Sequence, residues 1–538
     1  TSCTGAFATT VPTFGDTGAF AVNANDVTYT VSTAGNGILW DGDGLDGLWQ
    51  TAANWSGNTL PLATDDVLID TGAAGGPAAI TVTVSSGSQV ARRLFSEENL
   101  TLSAGSLALG STAADLSAIN GTLTLSGGTL QGAGNVTANG AFNWSGTGVS
   151  VLGSGLTVNG GMAITGSGQK QLNGGTLTLA SNSSWDGTGV IRFNSGVITN
   201  QSTRIFDVTG DGTIDSSGGV SSFNNAGTFR KSAGAVTTSI DAGGNNFSFN
   251  NTGTVEVQTG TVDVAPTTTF TQAGTINVAG VTTFRRTGGF NNPATTGFIQ
   301  GSGTIDVGAG TVTNNGTIAP GGSGAAGTLS VTGNFTNGAS GLIEIELGGL
   351  TAGTQYDLVA TSGLFTRGGT VTFSEINGFV TDAGQTFAPF THGSQSGTFT
   401  TINNPLDVTL APTYNATTTS FLSSVTTRFT GAIDSAWETA GNWTRGTPSA
   451  GKDAIVNVSG LTKTAAVSTG TQVAKSLTLG DDETVLITNG ALQLDNASTT
   501  AVGTTFSLSG GTLQGSGSLT VNGAFNWSGG TQLGTGTT

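Results

Sequence analysis

The chain has 538 residues, with 15 Lys+Arg against 32 Asp+Glu, a net charge of -17, and only 9% charged residues, against roughly 25% in an average soluble domain. That balance argues against nucleic acid and other polyanions as partners and favours cations, while 36% hydrophobic residues in regular alternation argue against disorder. The one cysteine, Cys3, rules out an internally disulfide-stapled scaffold.

Cys3 reads as a lone thiol, because Thr1-Ser2 before it is a poor match to a cleaved lipoprotein leader. A start at Thr1 with no basic-then-apolar leader is expected of a processed or partial chain whose export signal lies outside it. No apolar run reaches the roughly 18 residues of a membrane-spanning helix.

In chain order, residues 1–37 alternate Phe, Val and Tyr with small polar residues, which predicts two or three strands acting as an N-terminal cap. Residues 38–70 hold the most distinctive text: Trp40-Asp-Gly-Asp-Gly-Leu-Asp46, Trp49, Asn54-Trp55, Pro61 and Asp65-Asp-Val-Leu-Ile. It returns as Asp434, Trp437, Asn442-Trp443, Pro448 and Asp453-Ala-Ile-Val, with Trp49 to Trp437 and Trp55 to Trp443 both shifted by 388 residues. The chain is therefore one long repeat followed by the start of a second.

Within 121–335 a shorter phrase recurs, a Gly-Thr pair followed by alternating apolar residues, at Gly121, Gly175, Gly253, Gly260, Gly274, Gly303 and Gly327. Each copy predicts a short half-buried strand entered through a glycine of positive φ. Such strands cannot bury their apolar faces singly, so coils of about 20–26 residues are expected to stack in parallel as an all-β solenoid. Repeated turn asparagines, as in Asn224-Asn, Asn250-Asn and Asn314-Asn, predict amide ladders from coil to coil, an account preferred over chance Asn-X-Ser/Thr glycosylation triplets. Residues 336–428 have longer, irregular turns and predict a β cap or small sandwich, which sets the expected domains as 1–37, 38–335, 336–428 and 429–538.

Candidate chemistry is sparse. Asp41, Asp43 and Asp46, and again Asp207, Asp211 and Asp215, are oxygen-rich Gly-bearing loops of a kind that takes calcium, although neither has a closing bidentate Glu and Asp-Gly is also ordinary turn text. Glu256, Asp263 and Asp306 sit at outward strand positions and would form a glycosidase-like acid cluster if they shared one face. Trp40, Trp49, Trp55, Trp437 and Trp443 are read as packing where units meet, with a glycan-stacking platform as the alternative. His392 has no catalytic spacing around it and reads as a satisfied loop histidine, and the basic pairs Arg92-Arg93 and Arg285-Arg286 are expected to be solvated or to pair with a local acid, as Arg92 and Arg93 would with Glu97 and Glu98.

The run Asn314-Asn-Gly-Thr-Ile-Ala-Pro-Gly-Gly-Ser, then Gly327-Thr-Leu-Ser-Val, Gly341-Leu-Ile-Glu-Ile-Glu-Leu-Gly-Gly, Tyr356-Asp and Glu375-Ile-Asn-Gly-Phe, resembles the β-strand-repeat modules of large bacterial surface proteins. These include autotransporter-type passengers and filamentous-haemagglutinin-like adhesins. The text at 40–55 resembles module heads of that group, so the resemblance covers about 38–538, through degenerate motifs that mark architecture more than activity. It implies a right-handed parallel β-helix, a location at the bacterial cell surface or outside the cell, and a non-catalytic role as adhesin or fibre subunit. The expected partners are other copies, joined head to tail, or a surface polysaccharide. The alternatives are a β-helix polysaccharide-degrading enzyme and a lectin-like module.

Overall fold

The computed structural model describes residues 17–23, 26–33, 37–70, 80–146, 149–150, 153, 155–187, 189–241, 243, 246–458 and 460–538. These form parallel sheets stacked as a right-handed β-solenoid of about 19 turns with almost no helix. Among the described residues no helix is long and apolar enough to cross a membrane. The chain divides into two compact units, residues 1–317 with 330–334, and residues 318–329 with 335–538. Cys3 lies outside the described residues; of 1–37, Thr17–Asn23 and Asp26–Thr33 pair antiparallel as a separate two-stranded sheet.

In the first unit each coil lays one short strand on each of three faces. Asn135–Ala138, for example, lies on the first face, Phe142–Trp144 on the second and Val149–Ser150 on the third. Strict apolar-polar alternation turns every second residue inward, giving the recurrent buried-outside-buried pattern of Leu123–Leu125 and Thr254–Val257. Because pairing is parallel, each inward residue stands over its equivalent. Phe223, Phe249 and Phe270 form one such column, with ring centroids 5.8 and 5.9 Å apart.

The Gly-Thr phrase marks strand entry at corners leading to each of the three faces, with Gly253 and Gly260 serving two corners of one coil. Positive φ explains only two of the seven glycines, Gly175 at 67° and Gly260 at 55°. At Gly121, Gly253, Gly274 and Gly303 the constraint is proximity: a Cβ on Gly253 would lie 2.0 Å from the Gly227 carbonyl oxygen, and one on Gly274 would lie 2.0 Å from that of Gly253. Coils approach one another so closely at this corner that only hydrogen fits.

The same corner carries the asparagine ladder. Asn200 Nδ2 donates to Asn225 Oδ1, Asn225 Nδ2 to Asn251 Oδ1, and Asn251 Nδ2 to Gln272 Oε1, at 2.8, 2.8 and 2.9 Å. The three amides also donate to the backbone carbonyls of Thr228, Thr254 and Thr275 in the following coil. Those carbonyls can only accept, which fixes the direction of the ladder. Asn200, Asn225 and Asn251 are 0% exposed, so these amides are structural and closed to glycosylation in the folded chain.

In the second unit Leu342–Leu347, Thr370–Glu375 and Thr401–Asn403 pair in parallel, and Leu358–Arg367 pairs in parallel with Thr386–Gly397. These are longer strands around a phenylalanine core that includes Phe335, Phe365, Phe373, Phe390 and Phe421. Over 336–428, the stretch expected as a cap or small sandwich, the stack thus stays parallel until Val408–Tyr414 and Thr418–Arg428 form an antiparallel hairpin. Thr418–Arg428 then pairs in parallel with Lys452–Val456, so the expected 428/429 boundary falls inside this unit. Three-faced coils follow from there around a core of Trp437, Leu477, Val485, Leu492 and Phe506.

Replacing Asn225 by Ala removes the donor to Asn251 and the acceptor for Asn200. A loss of about 1–3 kcal/mol per stranded buried group is expected. In hydrogen exchange the weakening should be confined to the coils at 200, 225 and 251, because solenoid coils couple chiefly to their neighbours; unchanged exchange there would remove the ladder as a stabilising element.

Candidate functional site

The duplicated Trp text builds one small fold twice. In the first copy Asp46 accepts hydrogen bonds from Leu48 N at 3.0 Å, Thr51 Oγ1 at 2.6 Å and Asn54 Nδ2 at 2.6 Å. Asn54, itself 0% exposed, also donates to Leu48 O. Trp55 Nε1 donates to Trp49 O at 2.6 Å, and the Trp55 ring meets Trp40 and Trp49 edge-on, each at 4.8 Å. The second copy repeats this: Asp434 accepts from Ala436 N, Thr439 Oγ1 and Asn442 Nδ2, and Trp443 Nε1 donates to Trp437 O at 2.7 Å. Phe429 stands where Trp40 did, 5.1 Å from Trp443.

Each head docks on the outer edge of a sheet. Trp49 N donates to Thr83 O and Thr83 N to Gly47 O; likewise Trp437 N donates to Ala466 O and Ala466 N to Ser435 O. Thr81–Val84 and Thr464–Val467 are the end strands of their sheets, so the heads satisfy edge groups that would otherwise stand open. All five tryptophans are 0–6% exposed. They pack the heads and offer no ring face for a sugar. The partners Asn54 and Asn442, like Asp46 and Asp434, share the shift of 388 residues, and that repetition was the signal that they act as a set.

Neither acidic loop gathers its three carboxylates into one site. Asp46 is occupied as described, and Asp41 Oδ1 accepts from Asp43 N. Asp207 lies on the second face and Asp215 on the third, with Asp211 at the corner between them. Each has its own cation: Arg230 at 2.8 Å, Arg192 at 2.7 Å and Lys231 at 2.7 Å, respectively. Burial alone would raise the Asp207 carboxyl, but Arg230 and Ser232 hold it below its ordinary value. Among the described residues no three His, Cys, Asp or Glu side chains form a group able to hold a metal ion.

The outward acids do not share a face either. Glu256 belongs to the second face, opposite Arg230 one coil earlier, whereas Asp263 and Asp306 belong to the third, above and below Arg285. Opposite charges thus alternate from coil to coil, as Asp207–Arg230–Glu256 and Asp263–Arg285–Asp306, the arrangement that parallel in-register pairing favours. Arg92 and Arg93 do not pair with Glu97 and Glu98. Both guanidiniums clasp Asp66, one strand back on the same face; burial pushes that carboxyl up, but the two arginines hold it net below its ordinary value. Glu97 and Glu98 accept instead from Asn120 Nδ2 and Ile80 N.

Two lysines point inward, which alternation alone did not foretell. Lys170 donates to the carbonyls of Ser145, Gly166 and Gly168, and Lys231 to those of Gly210 and Ala233 as well as to Asp211. They are 1% and 0% exposed. Both sit at the corner between the second and third faces and bind turn carbonyls that the ladder leaves over. His392 lies on strand Thr386–Gly397, 4% exposed, and not in a loop.

Comparison with known proteins gave no match to any family model, curated protein or solved structure. The fold and the paired side chains above therefore carry the functional argument.

The heads should behave as hydrophobic clamps. Trp55→Ala, or Trp443→Ala in the second copy, should cost about 3–5 kcal/mol and expose the backbone of that head alone to hydrogen exchange. Thr51, Leu48 N and Asn54 hold the Asp46 carboxyl below its ordinary 3.8, and Ala436 N with Asn442 and Thr439 does the same for Asp434. Their contribution is present above that value and lost as pH falls below it. Tryptophan near-ultraviolet dichroism should hold down to about pH 4 and fade only in stronger acid; a loss centred at pH 6 would contradict this assignment.

Proposed function

We propose that the chain is part of a secreted bacterial surface protein, a non-catalytic β-helical element serving as structural subunit of an extracellular fibre or as an adhesin. The observation that carries this reading is the disposition of the outward carboxylates. Acid-base hydrolysis of a glycoside needs two carboxyl groups facing one cleft. Here Glu256 is on one face, Asp263 and Asp306 are on another, and Arg285 stands between those two. The duplicated head supports the same reading, since a repeated edge-closing motif suits a chain built from tandem modules. Association of chains head to tail, and binding to a surface polysaccharide, belong to this proposal as its partners.

Purified protein incubated with a panel of acidic and neutral polysaccharides, with and without calcium, should release no reducing ends. Turnover abolished by Glu256→Ala, Asp263→Ala or Asp306→Ala would establish the enzyme instead. Electron microscopy should show filaments with a regular axial repeat, whereas uniformly dispersed particles at all concentrations would sink self-association.

A further inference from the structure

The antiparallel hairpin of the second unit covers a cluster of polar side chains that the proposed function does not use. His392, on Thr386–Gly397, is 4% exposed, and Arg367, on the neighbouring strand Leu358–Arg367, is also 4% exposed. The groups facing them come from every strand in contact. The hairpin supplies Thr419, whose Oγ1 accepts from Arg367 Nη1 at 3.1 Å and lies 3.3 Å from His392 Nε2. It also supplies Tyr414, whose ring centroid is 4.4 Å from Arg367 Cζ. From the histidine's own strand come the Gln395 side chain and the Gly397 carbonyl, both accepting from Arg367. Phe365, on the strand of Arg367, closes the apolar side, its ring centroid 6.1 Å from the imidazole.

Every partner of the Arg367 guanidinium in this cluster is neutral. The charge acting on His392 is that guanidinium, a like charge; burial first and Arg367 second depress the imidazole, against a smaller opposing contribution from the Ala416 backbone. Strand Thr418–Arg428 pairs antiparallel with Thr386–Gly397 in two parts, Thr386↔Leu422 and Phe387↔Phe421 next to the Ser423 backbone bonds to Gly384 and Gln385, and Phe390↔Thr419 and Thr391↔Thr418 beside His392, whose N donates to Thr417 O.

We propose that this seam is an acid-sensitive latch: protonating His392 places a second cation beside Arg367 where no carboxylate answers it, and the hairpin 408–425 loosens from strand Thr386–Gly397. Thr419 Oγ1 has two lone pairs and one proton, so while accepting from Arg367 Nη1 it can either donate to or accept from Nε2. Whichever ring nitrogen takes it, a second proton makes the imidazole a cation beside Arg367, and that repulsion is what opens the seam. The sign follows from linkage: the unfolded or opened ring binds its proton near the ordinary value of about 6.5 and the closed ring binds it only at lower pH. The latch is thus fully held above that ordinary value, and its hold is lost as pH falls from there toward the closed-state value.

The chain has a single histidine, so one imidazole resonance reports the site. In the intact protein its titration midpoint should lie below that of a histidine in a short peptide, and the Tyr414 ring signals should move with it. Hydrogen exchange, corrected for the intrinsic effect of pH, should show hairpin amides 408–425 losing protection by about tenfold between pH 7.5 and pH 5, while coils at 464–508 keep theirs. In His392→Gln the neutral amide should abolish that difference. A midpoint at or above the peptide value, an equal loss in His392→Gln, or a loss spread evenly through the coils would each overturn the latch. Should His392→Gln not fold, Arg367→Met serves as the second variant: removing the like charge should raise the midpoint, and an unchanged midpoint would count against the proposal.

Discussion

Parallel in-register pairing is the constraint on which the rest of this structure depends. Strands about 4.8 Å apart bring every side chain over its counterpart in the next coil, so any residue type placed at a position is repeated against itself or against a complement. Asparagine over asparagine gives a ladder, phenylalanine over phenylalanine a ring column, and aspartate can follow only if an arginine or a neutral residue comes between. Low charge follows from the same rule, because a like charge at every coil would be a row of repulsions. The threonines, serines and asparagines of the outer faces are compatible with any neighbour.

What the sequence made legible is what period and repetition carry. Alternation at Gly253-Thr-Val-Glu-Val or Gly303-Thr-Ile-Asp-Val is enough to place a strand and its buried face. Recurrence of such phrases implies stacking, and the echo of Trp49 and Trp55 at Trp437 and Trp443 marks the heads. The contacts that escaped are those set by register between strands more than twenty residues apart. Arg92 and Arg93 stand near Glu97 and Glu98 in sequence, yet parallel pairing places Arg93 opposite Asp66. The corner glycines looked like turn formers, whereas several are there because the previous coil's carbonyl leaves no room for a Cβ. Lys170 and Lys231 contradict the polar-outward rule, since their ammonium groups answer a local demand of the turn backbone that no hydropathy pattern records.

The stretch 336–428 shows why irregular text did not mean a different fold. Its strands are longer and its turns uneven, so the short period disappears, yet the pairing of Leu342–Leu347 with Thr370–Glu375 is as regular as any in the three-faced coils. The parallel order gives way where Thr418–Arg428 pairs antiparallel both with Thr386–Gly397 and with the returning strand Val408–Tyr414. Pro412 sits in that returning strand and lacks the backbone N–H that a further strand would need as a donor.

The direction of the inner asparagine ladder also gives the stack a temporal order. Each buried amide points toward the coil that follows it in sequence, at Asn200, Asn225 and Asn251 alike. A coil laid down first therefore holds donors whose acceptors have yet to be made, and the arrival of the next coil completes it. Asn200, at the head of the series, keeps an Oδ1 that receives nothing from behind. A chain emerging amino terminus first would complete these buried amides one layer at a time, whereas the outer amides of Asn139, Asn159, Asn250 and Asn315 donate back to the coil already laid down.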